Sequence, residues 1–261
     1  MTLQLLEAAG AQADDQTGLE GSVAARRALT SGDIDMYWEY TGTAWLSYLQ
    51  NDEAITDPER QYEAVKKADL AKEDIEWLEP APFDNTYAIA VREDAGEPLD
   101  GVETISDLAD LAQSDPDALT FCVGPEFAQR ADGLPGLLDA YGFEVPSDNI
   151  STVGDAIVYK EVGSGEQCNF GSVFATDGKI GANSLRVLED DQRFFAVYNP
   201  ALNVRAEVLE QNPQLAELFN PLAASLETEK MQEMNTAVDA EGELPEDVAR
   251  QYLEENGFLA G

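Results

Sequence analysis

The chain has 261 residues, 44% of them hydrophobic, which is enough for one large domain or two medium ones. Its 52 Asp and Glu stand against 15 Lys and Arg with no His, and the formal net charge of −37 repels nucleic-acid phosphates and anionic lipid. The lack of His excludes Ser-His-Asp and Cys-His catalysis, and no run of about 18 apolar residues is present to span a membrane.

The acids are dispersed, as at Asp14-Asp15, Glu93-Asp94, Glu189-Asp190-Asp191 and Glu254-Glu255, rather than massed in one tail. With 3 Trp, 9 Tyr and 10 Phe also present, this reads as a packed protein with a salt-adapted surface. Its carboxylates stay hydrated while abundant salt screens their repulsion. Cys122 and Cys168, without His, do not make the usual zinc site, and neither metal nor cofactor is expected. The two cysteines read as buried thiols or as one disulfide, which would contribute about 4 kcal/mol by loop closure. Met1–Glu7 lacks the basic and long apolar regions of a signal peptide.

In chain order, Leu3 to Gly10 has the pattern of a helix end closed by Gly. Ser22 is a candidate N-cap for a helix over Val23–Leu29, closed by Gly32. The glycines before it lack the spacing and the Lys of a phosphate-binding loop. Ile34, Met36 and Trp38 then alternate with Asp35, Tyr37 and Glu39, which is strand periodicity. Tyr40-Thr41-Gly42-Thr43 ends that strand and leads into a predicted helix over Ala44–Leu49. Pro58 to Leu78 reads as a polar helix with Tyr62, Val65 and Leu70 inward. Pro80 and Pro82 make the next stretch extended, before a buried strand over Tyr87–Val91.

Ile105–Gln113 reads as a helix capped by Thr104 or Ser106, and Leu119–Gly124 as a strand. Gly136–Gly142 and Asp155–Val162 are helices with Gly stops at Gly142 and Gly163, and Cys168–Phe174 is a strand. Helices are predicted over Gln214–Leu226, Lys230–Val238 and Pro245–Asn256. The alternation of strands and helices up to about residue 195 predicts an α/β fold with largely parallel strands. Pro82–Ala88 and Phe195–Val204 are candidate crossover segments between two lobes.

Tyr40, Tyr87, Phe174 and Tyr198 each fall at or just after a strand end, beside small polar residues. Rings converging there can hold a quaternary ammonium, which has no N–H to donate, at about 0.5–2 kcal/mol per ring face. Four aromatics packing separately in the core is the competing reading.

The run Gly32-Asp33-Ile34-Asp35-Met36-Tyr37-Trp38-Glu39-Tyr40-Thr41-Gly42-Thr43-Ala44 resembles the substrate-binding subunits of ABC transporters for glycine betaine, choline and related quaternary amines. Asn85-Thr86-Tyr87-Ala88, Glu126-Phe127 with Arg130, Asp132-Gly133-Leu134-Pro135-Gly136-Leu137, Thr176-Asp177-Gly178-Lys179-Ile180, Phe194-Phe195 and Tyr198-Asn199 match in order. The resemblance implies a type II periplasmic-binding-protein fold with a ligand cleft between two α/β lobes, residues 1–86 with 197–261 and residues 87–196. It implies ring faces from Tyr40, Tyr87, Phe174 and Tyr198, with Phe174 replacing the usual Tyr and so lacking its hydroxyl. It places Thr43 and Arg130 at the carboxylate of a betaine and Asn85 at a main-chain contact, with Tyr48 outside the site.

An extracytoplasmic family favours a Cys122–Cys168 disulfide. Members carry an export signal, a first strand and most of a helix before the segment matching Leu5-Leu6-Glu7-Ala8-Ala9-Gly10. Met1 falls inside that helix, so the resemblance implies a chain shortened at its front and lacking a Lys usual at the ligand. The expected function is non-enzymatic capture of a quaternary-ammonium solute by a monomer at the cell surface, for delivery to an ABC permease. The alternatives are a binder of the same fold for an amino acid or oxyanion, and a salt-adapted cytoplasmic enzyme.

Overall fold

Residues 1–19, 21–51 and 54–259 are described by the computed structural model. They divide into two units: Met1–Leu49 with Asp57–Asp84 and Tyr198–Gly261, and Gln50–Thr56 with Asn85–Val197.

The first unit opens with α1 (Thr2–Ala8), which buries Leu5 and Leu6. Helix α2 (Ser22–Ser31) has Gly21, not Ser22, at its N-cap, and Ser22 is the first helical residue. Strand β1 (Met36–Tyr40) is followed by a single α-turn, α3 (Thr41–Thr43), and a π-type turn over Ala44–Tyr48 in place of the predicted regular helix. Helix α4 (Pro58–Glu73) is capped by the Asp57 carboxylate, which accepts the Arg60 N–H at 2.9 Å. It stops at Asp74 in the left-handed region (φ 55°), and β2 (Ile75–Trp77) follows. The expected helix to Leu78 is therefore too long. Leu70 is 37% exposed, and its neighbour Asp69 is the buried residue, held by a cation described below.

The second unit begins with β3 (Tyr87–Arg92). In α5 (Ile105–Ser114), Thr104 makes a reciprocal capping box with Asp107. Strand β4 (Phe121–Val123), α6 (Leu134–Tyr141), β5 (Ile150–Thr152) and α7 (Asp155–Ser164) follow. Helix α7 runs through Gly163 and stops at Gly165, which takes the left-handed conformation (φ 63°) that Gly163 does not. Strand β6 (Phe170–Phe174), α8 (Lys179–Ala182) and β7 (Leu185–Val187) complete this unit. The chain returns to the first unit through β8 (Pro200–Arg205), α9 (Ala206–Gln211), α10 (Gln214–Ser225), α11 (Thr228–Asp239) and α12 (Pro245–Glu255).

One sheet has the order β1-β8-β2 and the other β5-β4-β6-β3-β7. Among the described strand-to-strand ladders, β4–β5 and β4–β6 are parallel and the other four are antiparallel. The expectation of largely parallel strands fails because β3 and β8, the first strands after each passage of the chain between units, run against their neighbours.

Both faces of β1-β8-β2 are covered: Leu5, Leu202, Val204, Leu222 and Leu253 pack on one, and Leu29, Val65, Ile75, Trp77 and Ala201 on the other. The second core contains Val158, Tyr159, Val162 and Val173 around a Cys122–Cys168 disulfide with Cα atoms 5.6 Å apart. No helix among the described residues is long and apolar enough to cross a membrane.

Gly171 sits in tight packing within that second core. A Cβ there would meet Val158 and Val162 side chains at 2.6 Å and the Cys122 carbonyl at 3.0 Å. Gly171→Ala is expected to destabilise by about 1–3 kcal/mol through overpacking, read as a lower denaturation midpoint.

Beside β1 lies a groove of about 650 Å³, lined by Leu3, Leu6, residues 11–19, Met36 and Trp38 among others. It contains none of the candidate ligand residues.

Candidate functional site

In the first unit, antiparallel pairing sets Tyr40 opposite Pro200 and carries the ladder on to Thr41, whose N–H donates to the Asn199 carbonyl at 3.0 Å. The turn Tyr40–Thr43 and the segment Tyr198-Asn199 are thereby brought together at one sheet end. Tyr198 donates its N–H to Asp84 at 2.7 Å, and the Asn199 side chain donates to the Phe83 carbonyl at 2.9 Å. Gln61 donates to the Thr41 hydroxyl at 3.2 Å. Thr43 is buried, Tyr198 is 3% exposed, and Tyr40 is half-buried.

Behind Tyr40 lies a buried polar network. The Tyr40 N–H donates to Glu39 Oε1 at 2.7 Å, and Glu39 is only 4% exposed. The Tyr37 and Tyr48 hydroxyls lie 2.7 and 2.8 Å from Glu39 Oε2. Burial holds the Glu39 carboxyl above its ordinary value, although its hydrogen bonds and Arg26 pull it down. Burial likewise raises both phenols, and a charge on Glu39 would raise them further. Arg26 is bound through both oxygens of Asp69, which also accepts the Trp77 indole N–H at 2.7 Å. Burial opposes the Arg26 charge most strongly, but the hydrogen bond and charge of Asp69, with Tyr37 and Tyr48, together outweigh it and hold the guanidinium above its usual range. Tyr48, expected outside the site, is thus one residue removed from Tyr40 through Glu39.

In the second unit, Tyr87 at the start of β3 pairs with Phe174 at the end of β6. Their ring centroids are 5.1 Å apart. Phe127 meets Tyr87 edge-on at 5.0 Å, and Phe195 lies 6.5 Å away. The Arg130 guanidinium carbon stands 5.8 Å from the Tyr87 ring centre. Arg130 donates to Asp132 through Nε at 2.8 Å and Nη2 at 2.5 Å, and to Glu126 through Nη1 at 3.3 Å. Burial raises the Tyr87 phenol, against the pull of Arg130. Asp155 is raised by burial, then by Glu126. Asn85 accepts the Thr176 hydroxyl at 2.5 Å, and the Tyr159 hydroxyl accepts the Phe174 N–H at 3.1 Å.

The predicted residues therefore fall into two sets, Tyr40, Thr43 and Tyr198 in one unit and Asn85, Tyr87, Arg130 and Phe174 in the other. Phe127 and Phe195 join the second set without having been singled out for it. The motifs Glu126-Phe127 and Phe194-Phe195 held the signal, since each puts a ring next to residues otherwise polar. Glu126 and Arg130 also stand four apart, the spacing of a helical ion pair.

Two α/β units, each with ring side chains gathered at strand ends, have the type II periplasmic-binding-protein fold. The chain belongs to the OpuAC family, described as the substrate binding domain of ABC-type glycine betaine transport systems, whose model matches residues 1–255. Members of that family are non-enzymatic. The chain is 38% identical to a glycine-betaine-binding protein of Pseudomonas aeruginosa over 99% of its length and 83% of the relative's. It is 35% identical to the glycine betaine-binding protein YehZ of Escherichia coli, over 98% and 85%. The solved apo structure of YehZ superimposes with a TM-score of 0.68 at 33% identity, covering 98% of this chain and 92% of the other.

Proposed function

We propose that this protein binds a quaternary-ammonium compatible solute, glycine betaine, choline or a close analogue, and delivers it to an ABC permease. The observation that carries the reading is the Tyr87, Phe174 and Phe127 ring cluster with Arg130 beside it. Ring faces attract a charge that offers no hydrogen-bond donor, and a guanidinium suits a carboxylate. In this reading Tyr40, Tyr87, Phe174 and Tyr198 supply ring faces. Thr43 and Arg130 take the carboxylate end, and Asn85 supplies a main-chain contact. The protein works as a monomer outside the cytoplasmic membrane, a setting in which a disulfide persists. Its acidic surface suits high salt.

Calorimetry in molar salt with glycine betaine, choline and glycine tests this. Betaine or choline should bind well above glycine. Tyr40→Ala and Tyr198→Ala should each weaken binding about 2- to 30-fold, from about 0.5–2 kcal/mol per ring. Leu244→Ala, at an exposed position, is the control. Glycine binding as tightly as betaine would point to an amino-acid binder, and heat with none of the three would overturn the reading.

A further inference from the structure

We infer that Glu39 is a neutral carboxylic acid in the folded protein and, in that form, is the positioning residue for Tyr40. The argument is a proton count. Tyr37 Oη lies 2.7 Å from Glu39 Oε2, Tyr48 Oη lies 2.8 Å from the same oxygen, and Tyr48 Oη lies 2.8 Å from the Ser22 carbonyl. These three contacts join four oxygens, and the two phenols supply two protons between them. The Ser22 carbonyl only accepts, so the Tyr48 proton goes to it. Tyr37 donates its proton to Glu39 Oε2. The remaining contact, between Glu39 Oε2 and Tyr48 Oη, needs a third proton, and the carboxyl group is the one member able to carry it. Glu39 then donates to Tyr48, accepts from Tyr37, and accepts the Tyr40 N–H at Oε1. All of its contacts are satisfied without a charge.

The surroundings agree. Glu39 is 4% exposed, and an isolated carboxylate there would be costly. The groups facing it are Tyr37 on β1, Tyr48 in the turn after α3, and Arg26 on α2, with Asp69 of α4 behind Arg26. The charge of Arg26 is matched by Asp69, which it binds through both oxygens. Burial is the largest influence on Glu39 and moves it upward from 4.5.

The neutral form fixes the Tyr40 backbone from behind. The α-turn that follows carries Thr43, so two of the three proposed ligand contacts of this unit, Tyr40 and Thr43, hang from the same carboxyl. This consequence rests on the reading given above, whereas the protonation itself does not.

The sign follows from linkage. A group whose folded value is raised contributes stability that is fully present below its unfolded value and is lost as pH rises through the folded value. The stability advantage of wild type over Glu39→Gln, which cannot ionise, should therefore shrink from acid to alkaline pH. In infrared spectra in D2O at neutral pH, where the exposed acids are ionised, wild type should show a carboxylic-acid carbonyl band that Glu39→Gln lacks. Betaine or choline affinity of wild type should fall at alkaline pH, approaching about tenfold per pH unit once Glu39 ionises, while Glu39→Gln shows no such fall.

A wild-type spectrum without that band overturns the assignment. A band that disappears in the variant, with identical pH profiles of binding in both proteins, overturns the positioning role. If no ligand binds wild type at any pH, the solute reading of the previous subsection fails, and the infrared band still decides the state of Glu39.

Discussion

Asp69→Ala is expected to destabilise the protein by about 3–5 kcal/mol, measured by denaturant unfolding at fixed salt. The substitution leaves the Arg26 guanidinium buried without its carboxylate and removes the acceptor of the Trp77 indole. Arg26→Ala should cost a similar amount by stranding Asp69. The pair carries the diagnosis: if stranded charge is the cause, the double variant loses much less than the sum of the two single ones. A double variant that loses the full sum would mean that packing, not charge, dominates at this position. The network joins α2, α4 and β2, so the change should lower stability throughout the first unit, not at one helix end.

The second large effect is loss of the Cys122–Cys168 disulfide. It closes a loop spanning a sequence separation of 46, and its removal should cost about 4 kcal/mol in the chain-entropy model. Cys122→Ser with Cys168→Ser, or reduction of wild type, should shift the unfolding of the second unit to lower denaturant while the first unit is spared. Both sulfurs lie in the core that holds β4 and β6, and β6 ends at Phe174. A loss of ring order at Phe174 and Tyr87 is therefore expected beside the loss of stability, visible as reduced near-ultraviolet dichroism. Equal unfolding with and without the disulfide would contradict the assignment.

Much of this was legible in the chain. The alternation around Met36 to Tyr40 announced a strand, and Thr104, Gly142 and Gly32 announced helix ends, because capping and left-handed backbone depend on local residue type. What failed was set by distant partners. Glu39 stood among the polar members of the alternation, yet it is the most buried residue of β1, since both sheet faces are covered and two phenols meet its carboxyl. Asp69 and Leu70 exchanged places for the same kind of reason: the burial of an acid is affordable only where Arg26 from another helix reaches it. Strand direction was also invisible, because the reversal at β3 and β8 arises where the chain changes unit, not in the composition of either strand. Among the candidate site residues, Tyr40 and Phe174 end strands as read, whereas Tyr87 opens β3 and Tyr198 precedes β8. The clamp of Asp132 and Glu126 on Arg130 was not legible, because on so acidic a chain no single carboxylate stands out.

The outer edge of β1 has a consequence for behaviour at high concentration. By antiparallel alternation, the bonds of Thr41 and Arg205 to the opposing strands turn the backbone groups of Met36 and Trp38 away from β8, toward the groove. Asp14, Asp15, Asp33 and Asp35 rim that groove. In dilute salt, two molecules approaching edge to edge would meet eight carboxylates, four from each copy, which discourages strand-on-strand assembly. In molar salt the screening length falls to about 3 Å, and this guard weakens. The segment of residues 11–19 lying over the groove is then the remaining barrier to fibre-like association.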